Sequence, residues 1–520
     1  MYLTQGLHRA IQRHPGKIAL CHVADGKPRT TGFAALGTRV AHAAAALKRH
    51  GIGSGDRVAL LAQNGDGLIA MLLACWWRGA VACPLNTRWS VHELRHAIGD
   101  CGARLLLPDG PLTAMAEELG DLVTVVPLDT FLADAVAASS DVAPPDDRRT
   151  GGDALAAILY TGGTTGRAKG VMLSHANLWA ASMSRAAELN NAPDSVSLLV
   201  APLFHVAGLG RLIGQLIAGG SCVTLPQFRA DIVLTAIDTH RITDIMVVPT
   251  MLQSLLDHPD FDAARLQSLN RIAFGAAPMP PDLLARALLA WPDAEFFQAY
   301  GMTETAASVC INPPVNHRPG PDAERRRHSV GRAGLGAEIR VVDADGNEVP
   351  RGTVGEIVVR GPMVMRGYWN QPDATAQALR DGWLHTGDGG WMDEDGYLFI
   401  ADRLKDMIIS GGENVYSAEV ETALRSHPRV AQAAVIGVPD ARWGERVHAV
   451  VVVEGSASLA SSEAAALSAQ LTQWCRERLA GFKCPRSFAF VDTLPLSAAG
   501  KVLKNELRQR YRDEAAGGGG

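Results

Sequence analysis

Residues Tyr160–Gly170, which read YTGGTTGRAKG, combine glycines, threonines and a lysine in one short segment. Glycine-rich turns leave backbone N–H groups unobstructed and threonine hydroxyls add donors, and both suit the oxygens of a polyphosphate. The spacing differs from that of P-loop NTPases, which place four residues between the first glycine and Gly-Lys. The residues that supply this chemistry are Gly162, Gly163, Thr164, Thr165, Gly166 and Lys169. Taken alone, the segment equally suits a surface turn, so other motifs must decide its function.

The elements that would position this segment follow from short apolar runs that alternate with helical patterns after about residue 153. A strand at Leu155–Tyr160 would lead into the segment, and Ser174 would N-cap a following helix at Asn177–Leu189. Such alternation predicts βαβ units and parallel sheets with covered faces. Further predicted strands are Ser197–Val200, Cys222–Leu225, Asp244–Val248 and Arg271–Phe274, and further predicted helices are Ile232–Thr239, Met251–Leu256 and Asp282–Ala290.

The pattern changes after about residue 330, where short strands replace the alternation. Val341–Val349 contains Asp345-Gly346 between strand-like flanks and predicts a hairpin. A fresh α/β stretch follows residue 402, so we expect an N-terminal domain of residues 1–401, a small C-terminal domain of residues 402–516 and a flexible tail of Gly517–Gly520. The predicted fold class is α/β, with βαβ-rich sheets and a small β-barrel-like part in the first domain and an α+β arrangement in the second.

Composition and charge exclude several classes of protein. The chain has 520 residues, 47% of them hydrophobic and 20% charged, which predicts a soluble protein with more than one domain. The net charge of -5 argues against a broad electrostatic grip on nucleic acid. No apolar run reaches the roughly 18 residues that span a bilayer, the N-terminal residues lack the pattern of a signal peptide, and the eight cysteines include no CxxC pair. We therefore expect a cytoplasmic protein, with peripheral membrane contact and a homodimer left open.

Five motifs together resemble those of one family. YTGGTTGRAKG is followed in order by YGMTE at Tyr300–Glu304, TGD at Thr386–Asp388, DRLKDMIISGGENV at Asp402–Val415 and PLSAAGK at Pro495–Lys501. This set resembles the adenylate-forming superfamily, which contains acyl-CoA synthetases, peptide-synthetase adenylation domains and luciferases. The sequence of Asp402–Val415 is most similar to that of bacterial fatty-acyl-CoA synthetases. Two positions depart from the family pattern, because Gly162 replaces a serine and Ala168 replaces a proline.

The resemblance implies ATP, Mg²⁺ and CoA as partners, together with a small carboxylic acid and no nucleic acid. The phosphate-loop residues Thr161–Lys169 would hold the departing phosphates, Thr303 would bond the α-phosphate and Glu304 would ligate Mg²⁺, for which a carboxylate plus phosphates is an apt ligand set. The implied nucleotide contacts are Tyr300 and Gly301, with Gly275, Ala276 and Ala277 as the wall facing adenine, and Asp388 and Arg403 at the ribose.

Lys501 is the implied catalytic residue, because an ammonium group can bridge the attacking carboxylate and the phosphate oxygens while charge shifts between them. The resemblance makes the C-terminal domain mobile about a hinge at Lys405, so that one site serves two half-reactions. Ser410, Gly411, Gly412 and Glu413 would then approach the acyl-adenylate and the pantetheine channel. No enzyme nucleophile is required, since CoA brings its own thiol.

The acid is expected to bind near His205, which would gate the pocket or orient the carboxylate. The flanking segments Phe204–Arg211, Val248–Met251 and Phe274–Ala276 are mostly apolar, and Arg211 is their only cation. A dicarboxylate would need a buried cation, and helical phase leaves open whether Arg211 faces inward. The small residues Gly208 and Gly210 would admit a long or bulky chain. We therefore expect an apolar monocarboxylic acid, with a medium- or long-chain fatty acid first, an aryl or arylpropenoic acid second, and a carrier-protein or amine acceptor as the alternative to CoA.

Overall fold

A computed structural model describes the chain except residues 25, 139–145, 162–167, 278, 404–405, 411–412, 441, 454–460, 497–501 and 518–520. The chain divides into two compact units, a larger one of Met1–Ile339 with Val359–Leu384 and a smaller one of Arg340–Val358 with His385–Gly520. The boundary expected near residue 402 lies inside the smaller unit, because the short-strand region groups with the C-terminal part. That residues 402–516 move as a separate domain stays a prediction.

Strands form at short runs rich in Val, Ile, Leu and Ala, most of which are buried. In chain order they are β1 (Ile18–Ala24), β2 (Lys27–Gly32), β3 (Arg57–Leu61), β4 (Val81–Pro84), β5 (Leu105–Pro108), β6 (Thr124–Val125), β7 (Leu155–Thr161), β8 (Lys169–Ser174), β9 (Val196–Leu199), β10 (Ser221–Thr224), β11 (Asp244–Val247), β12 (Arg271–Gly275), β13 (Glu295–Met302), β14 (Ala307–Asn312), β15 (Arg332–Ala333), β16 (Glu338–Val342), β17 (Gly355–Arg360), β18 (Gly367–Tyr368), β19 (Leu379–Arg380), β20 (Trp383–Met392), β21 (Leu398–Arg403), β22 (Ile408–Ser410), β23 (Glu413–Val415), β24 (Val430–Asp440), β25 (Gly444–Val453) and β26 (Ser487–Phe490).

Helices connect these strands, and most bury one apolar face while the other stays in solvent. In chain order they are α1 (Gln5–Arg13), α2 (Phe33–Arg49), α3 (Asp66–Arg78), α4 (Val91–Cys101), α5 (Thr113–Glu117), α6 (Leu128–Ala137), α7 (His175–Glu188), α8 (Val206–Ala218), α9 (Ala230–Thr239), α10 (Pro249–Leu256), α11 (Pro281–Ala290), α12 (Ala323–Arg327), α13 (Pro372–Ala378), α14 (Ser417–Arg425), α15 (Ser461–Arg476) and α16 (Lys504–Gly517). In the described part of the chain, no helix is long and apolar enough to cross a membrane.

The first sheet of the larger unit has the order β15-β14-β13-β12-β11-β9-β10-β1-β2. The strands from β13 to β1 in this order are parallel, as the βαβ pattern predicts. Val247 and Phe274 pack with helix residues Leu234 and Leu284 in one apolar core on the sheet. Ligands of open α/β sheets bind beyond the carboxyl ends of the strands, so the ends of β12 and β13 are where a site is expected.

The second sheet has the order β18-β8-β7-β4-β3-β5-β6, and it carries the glycine-rich segment. We expected a strand followed directly by a helix, and this was wrong, because the strand β8 (Lys169–Ser174) comes between the segment and the helix and pairs antiparallel with β7. Val171 and Leu173 are buried on one face of β8, and Gly170 and Ser174 are buried on the other, so both faces of this strand are largely covered. The predicted cap is confirmed, since the Ser174 hydroxyl accepts from the N–H of Asn177 at 3.1 Å at the start of α7.

Two further sheets lie mainly in the smaller unit. One has the order β16-β17-β20-β19 with β21 on β20, and the other has the order β23-β22-β25-β24 with β26 on β25. The predicted turn at Asp345-Gly346 is present, but its return arm makes only a single bridge, Val342↔Glu348. Helices α14 and α15 cover the second sheet through Leu424, Leu467 and Leu471. The α/β fold class with a large and a small part is confirmed.

Candidate active site

The predicted adenine wall forms at the end of the first sheet. Gly275 ends β12 and lies opposite Ala299 of β13, so Ala276 and Ala277 come beside the strand that carries Tyr300. A Cβ on Gly275 would stand 2.5 Å from the carbonyl oxygen of Ala299, so only glycine fits there. Ala276 has φ +66, a left-handed conformation that costs an alanine about 1 kcal/mol or more. The structure therefore brings these residues together in a strained turn, as is common at functional sites.

The turn after β13 places Thr303 and Glu304. A Cβ on Gly301 would collide with the carbonyl group of Ala307, so the chain can fold back on itself only with glycine at this position. The hydroxyl of Thr305 closes the turn, since it accepts from the N–H of Met302 at 3.0 Å. Two further residues with positive φ, Ala306 at +51 and Ala307 at +123, follow at once. The backbone strain is thus concentrated around the predicted α-phosphate and metal contacts.

Glu304 is buried, and its carboxylate has a partner that the sequence analysis missed. The hydroxyl of Tyr368 donates to Oε1 of Glu304 at 2.9 Å. Burial and the nearby charge of Glu304 raise the pKa of Tyr368 well above its usual value, so this hydroxyl remains a donor. On the same tyrosine, the ammonium group of Lys169 lies 5.0 Å from the ring centroid. One side chain thereby links the lysine of the glycine-rich segment to the predicted metal ligand.

Residues 362–370, which we call the strap, hold Tyr368 in this place. The N–H of Met365 donates to the carbonyl oxygen of Glu304 at 2.8 Å, and the N–H of Trp369 donates to that of Gly170 at 2.7 Å. The Nδ2 group of Asn177 donates to two strap carbonyls at 2.8 Å each. The motif RGYWN at 366–370 was the signal available in the sequence, but no local pattern relates Tyr368 to a residue 64 positions earlier.

The glycine-rich segment itself is seen at its two ends. Thr161 ends β7 and Lys169 begins β8, and the two residues lie opposite each other in the hairpin. The hydroxyl of Tyr160 donates to Oδ2 of Asp100 at 2.6 Å, which anchors the base of the loop. The predicted phosphate contacts Gly162, Gly163, Thr164, Thr165 and Gly166 lie outside the described residues.

Three residues of the expected acyl pocket, Arg211, Gly208 and His205, show which substrate groups it could accept. Arg211 is buried and engaged in the interior, where it pairs with Asp244 and donates from Nε to the hydroxyl of Ser197 at 2.8 Å. Burial lowers the pKa of Arg211 to about 9. Gly208 does not admit a long chain, because a Cβ there would meet the backbone of Pro202. His205 is half-buried in front of α8, with its ring 4.6 Å from that of Phe204, so its flank is aromatic.

In the smaller unit, the two predicted ribose contacts face each other across a strand pair. Asp388 of β20 is buried and lies opposite Arg403 of β21. The N–H of Asp388 donates to the Thr386 hydroxyl at 3.1 Å, and that hydroxyl donates to the carbonyl oxygen of Ile357 at 2.7 Å. The TGD motif thus lies within β20, where its threonine fixes the backbone of Asp388 and Gly387 has φ +70.

Some of the remaining predicted residues of the smaller unit lie among the described residues. Ser410 is buried and pairs with Glu413 in the β22–β23 hairpin. Leu496 and Val502, which flank the predicted catalytic lysine in sequence, form an isolated β-bridge. Just beyond, Lys504 at the start of α16 pairs with Glu421 at 2.6 Å. Lys405, Gly411, Gly412 and Lys501 lie outside the described residues.

The side chains around Glu304 limit which kind of metal site can form there. Within the described ranges, no group of three or more His, Cys, Asp or Glu side chains could hold a metal ion. Mg²⁺ commonly binds through one or two carboxylates together with substrate phosphates and water. A single buried carboxylate that Tyr368 links to Lys169, the predicted phosphate-binding lysine, therefore fits Mg²⁺ brought with a nucleotide, and does not resemble a closed structural metal site.

Comparison with known proteins places this geometry in a family. Residues 7–369 match the family described as AMP-binding enzyme, and residues 419–501 match the AMP-binding enzyme C-terminal domain. Feruloyl-CoA synthase of Amycolatopsis sp is 42% identical over 92% of this chain and 94% of its own length. The fatty acid–[acyl-carrier-protein] ligase ScoC of Streptomyces coeruleorubidus is 37% identical over 92% and 90%.

A solved structure agrees over nearly the whole chain. O-succinylbenzoate coenzyme A synthetase (MenE) of Bacillus subtilis, in complex with ATP and magnesium ion, has a TM-score of 0.82 at 33% identity and covers 98% of this chain and 99% of its own. The resemblance inferred from the five motifs is confirmed. The chain belongs to the AMP-binding enzyme family.

Proposed function

We propose that the chain is an AMP-forming CoA ligase that activates an apolar monocarboxylic acid, with arylpropenoic acids of the ferulic type as its preferred class. The observation that carries the proposal is the buried carboxylate of Glu304, which Tyr368 connects to Lys169 of the phosphate-binding segment. A carboxylate beside a phosphate-binding cation suits a nucleotide delivered with Mg²⁺. The ATP- and magnesium-bound relative supports the same ligands for this chain.

The reaction would proceed in two steps. In the first, an oxygen of the substrate carboxylate bonds to the α-phosphorus of ATP, and the bond from that phosphorus to the bridging oxygen breaks, which releases pyrophosphate. In the second, the thiol of CoA attacks the acyl carbon, loses its proton and displaces AMP. Both steps concentrate negative charge, so the work of the protein is positioning and charge neutralisation. Lys169, Thr303 and Lys501 would neutralise phosphate charge, while Glu304 would hold Mg²⁺, which shields the phosphates.

The proposed substrate class is supported by the pairing of Arg211 in the larger unit, by the aromatic residues beside it in sequence, and by the names of the similar proteins. Arg211 is committed to Asp244, so it does not offer its charge to a second carboxylate of the substrate. The Phe204–His205 ring pair gives an aromatic flank that suits an aryl group. Feruloyl-CoA synthase is 42% identical to this chain, whereas the fatty acid ligase ScoC is 37% identical. Together these observations favour an aryl over a fatty acid, and the fatty acid remains the second candidate.

The test is pyrophosphate release and thioester formation over a panel of acids, with and without CoA. The panel contains ferulic, cinnamic, decanoic and palmitic acids, with 2-succinylbenzoate as the dicarboxylate. We expect CoA-dependent thioester formation with the highest kcat/KM for ferulic or cinnamic acid, and at least about 100-fold lower values for the dicarboxylate, because an unpaired buried charge is costly. A preference for palmitic acid would move the assignment to the second candidate. Adenylate without thioester would instead indicate another acceptor.

The division between the two steps is tested with Lys501→Ala. This variant should lose acid-dependent pyrophosphate release by about 100-fold or more, because a positioned cation at the reacting phosphate is removed. It should still convert a supplied acyl-adenylate and CoA to the thioester. Lys48→Ala, which changes an exposed lysine at the end of α2, is the matched control and should retain both steps. Loss of both steps in Lys501→Ala would contradict the role given to Lys501.

A further inference from the structure

We propose that Tyr368 is the positioning residue of the metal site: its hydroxyl fixes the carboxylate of Glu304 and its ring supports the ammonium group of Lys169. The inference rests on the proposed function, since it takes Glu304 as the Mg²⁺ ligand beside ATP. It goes beyond that function because it gives one side chain control over both the metal ligand and the cation that faces the departing phosphates.

The contact to Glu304 has the geometry of an orienting bond. The phenolic hydroxyl donates to Oε1 at 2.9 Å, a normal hydrogen-bond length. A neutral donor holds one oxygen of the carboxylate while the group keeps its negative charge. Within the described residues, no Lys, Arg or His nitrogen lies within 4.0 Å of the Glu304 carboxylate. The charge of Glu304 is therefore held in place without being cancelled, which a metal ligand requires.

The contact to Lys169 uses the other part of the same side chain. The Lys169 nitrogen stands 5.0 Å from the centroid of the Tyr368 ring, inside the range in which an aromatic face attracts a cation. Lys169 is the first residue of β8, so its backbone is held in the hairpin while its long side chain is free to rotate. The ring of Tyr368 restricts that rotation and so favours one position of the ammonium group.

The position of Tyr368 is itself fixed from several sides. Its residue pairs with Val171 of β8, and its N–H donates to the hydroxyl of Thr375 at 2.9 Å. Three residues earlier in the strap, the N–H of Met365 donates to the backbone carbonyl oxygen of Glu304 at 2.8 Å. Glu304 and Tyr368 are thus joined through backbone and side chain to one strap. Functional groups act well when their supporting residues are locked in this way.

Variants separate the two parts of the side chain. Tyr368→Phe keeps the ring and removes the hydroxyl, and Tyr368→Leu removes both. Tyr2→Phe is the matched control, because it removes a tyrosine hydroxyl outside the predicted site, from a ring whose centroid lies 6.2 Å from that of His8 in α1. Three quantities are measured. The first is the affinity for Mn²⁺ in the presence of ATP and without any acid, which electron paramagnetic resonance reports. The others are the affinity for ATP without metal and the Mg²⁺ dependence of pyrophosphate release.

We expect Tyr368→Phe to weaken Mn²⁺ binding by about 10- to 100-fold, the usual effect of losing a partner of a metal ligand, with unchanged metal-free ATP affinity. The Mg²⁺ concentration for half-maximal turnover should rise by the same factor. Tyr368→Leu should in addition weaken metal-free ATP binding about 3- to 10-fold, because Lys169 loses its support. Tyr2→Phe should keep the wild-type Mn²⁺ affinity. If Tyr368→Leu fails to fold, Tyr368→Phe carries the test alone.

A double-mutant cycle with Glu304→Gln distinguishes positioning from mere structural support. Once the carboxylate is gone, Tyr368→Phe should have no further effect on Mn²⁺ affinity; additive effects would overturn the proposal. Wild-type Mn²⁺ affinity in Tyr368→Phe would overturn it as well. The metal arm needs no acid and no turnover, so its outcome is separate from that of the proposed function. A chain that binds Mn²⁺ with ATP but activates no acid would refute the function while leaving the role of Tyr368 decided by the variants.

Discussion

Asp244 and Glu304 are both buried carboxylates of the larger unit, with 5% and 7% of their surface exposed, but they are satisfied in different ways. Asp244 pairs with the guanidinium of Arg211 and also accepts from the hydroxyl of Ser197 at 2.9 Å. Glu304 accepts from the hydroxyl of Tyr368, and within the described residues no cationic nitrogen lies within 4.0 Å of it. The first charge is neutralised by the protein, whereas the second is only oriented.

The difference indicates what each carboxylate is for. The desolvation cost of a buried charge is offset only by its partner in the ion pair. Asp244 and Arg211 therefore stabilise each other in the interior and do not offer their charges to a ligand. A buried carboxylate that keeps its charge is costly for the folded protein and is useful where a cation will arrive. The surrounding backbone agrees with this view, because the positive φ values of Ala306 and Ala307 lie beside Glu304.

The comparison predicts the largest loss of stability at Arg211. Arg211→Met should lower the free energy of unfolding by about 3–5 kcal/mol, because it leaves the buried charge of Asp244 without a cation. Urea denaturation followed by circular dichroism measures the change. The double variant Arg211→Met with Asp244→Leu should recover most of the loss, since an apolar pair replaces the ion pair. An unaffected single variant would mean that the pair contributes nothing to the fold.

Glu304→Gln should give the opposite result. The free energy of unfolding should change by less than about 1 kcal/mol, because the amide oxygen still accepts from Tyr368 and a buried charge is removed. The kcat/KM for acid-dependent pyrophosphate release should fall by about 100- to 1000-fold, as expected when charge stabilisation at the reacting phosphates is lost. Glu188→Gln, which changes an exposed glutamate of α7, serves as the control. Wild-type activity in Glu304→Gln would remove Glu304 from the metal site.

The sequence anticipated one side of this comparison better than the other. Thr303 and Glu304 were found because they lie in a short contiguous motif, and strands such as β11 and β12 were located within a residue because apolar periodicity is local. Arg211 and Asp244 are 33 residues apart, and Tyr368 and Glu304 are 64 apart. Which side chains meet over such distances is decided by sheet order and helix packing. The missed strand β8 reads KGVMLS, and its apolar residues Val171, Met172 and Leu173 are consecutive, so no period-2 alternation marked it as a strand.

Asp244 is buried with a partner of opposite charge and Glu304 with a neutral donor, whereas His317 is buried as a neutral group. Its protonation should therefore destabilise the folded protein at acidic pH. Burial lowers the pKa of His317 to about 4 from an ordinary value of 6.5. Between these two values the unfolded chain binds more protons than the folded one, so the free energy of unfolding falls as the pH falls. The contribution of this histidine is about 2 kcal/mol lost between pH 8 and pH 5.

The measurement is the free energy of unfolding at several pH values between 4 and 8 for wild type and His317→Met. The variant should lose up to about 1.4 kcal/mol per pH unit of slope in this window, which corresponds to one proton. Burial also lowers the pKa of His175 and of His448 to about 4, so a residual slope is expected in the variant. An identical slope in both proteins would show that His317 titrates normally.

The smallest predicted effect concerns the uncharged bonds that hold the strap. Ser174→Ala should lower the free energy of unfolding by about 1 kcal/mol through loss of the helix cap, and should leave the Mg²⁺ dependence of turnover unchanged. Asn177→Ala removes the side chain that donates to the strap carbonyls of Pro362 and Val364, so it should also raise the Mg²⁺ requirement several-fold. Both residues belong to one capping box, and therefore differ mainly in their contact with the strap. Equal Mg²⁺ requirements in the two variants would mean that the orientation of Glu304 does not depend on how the strap is anchored to α7.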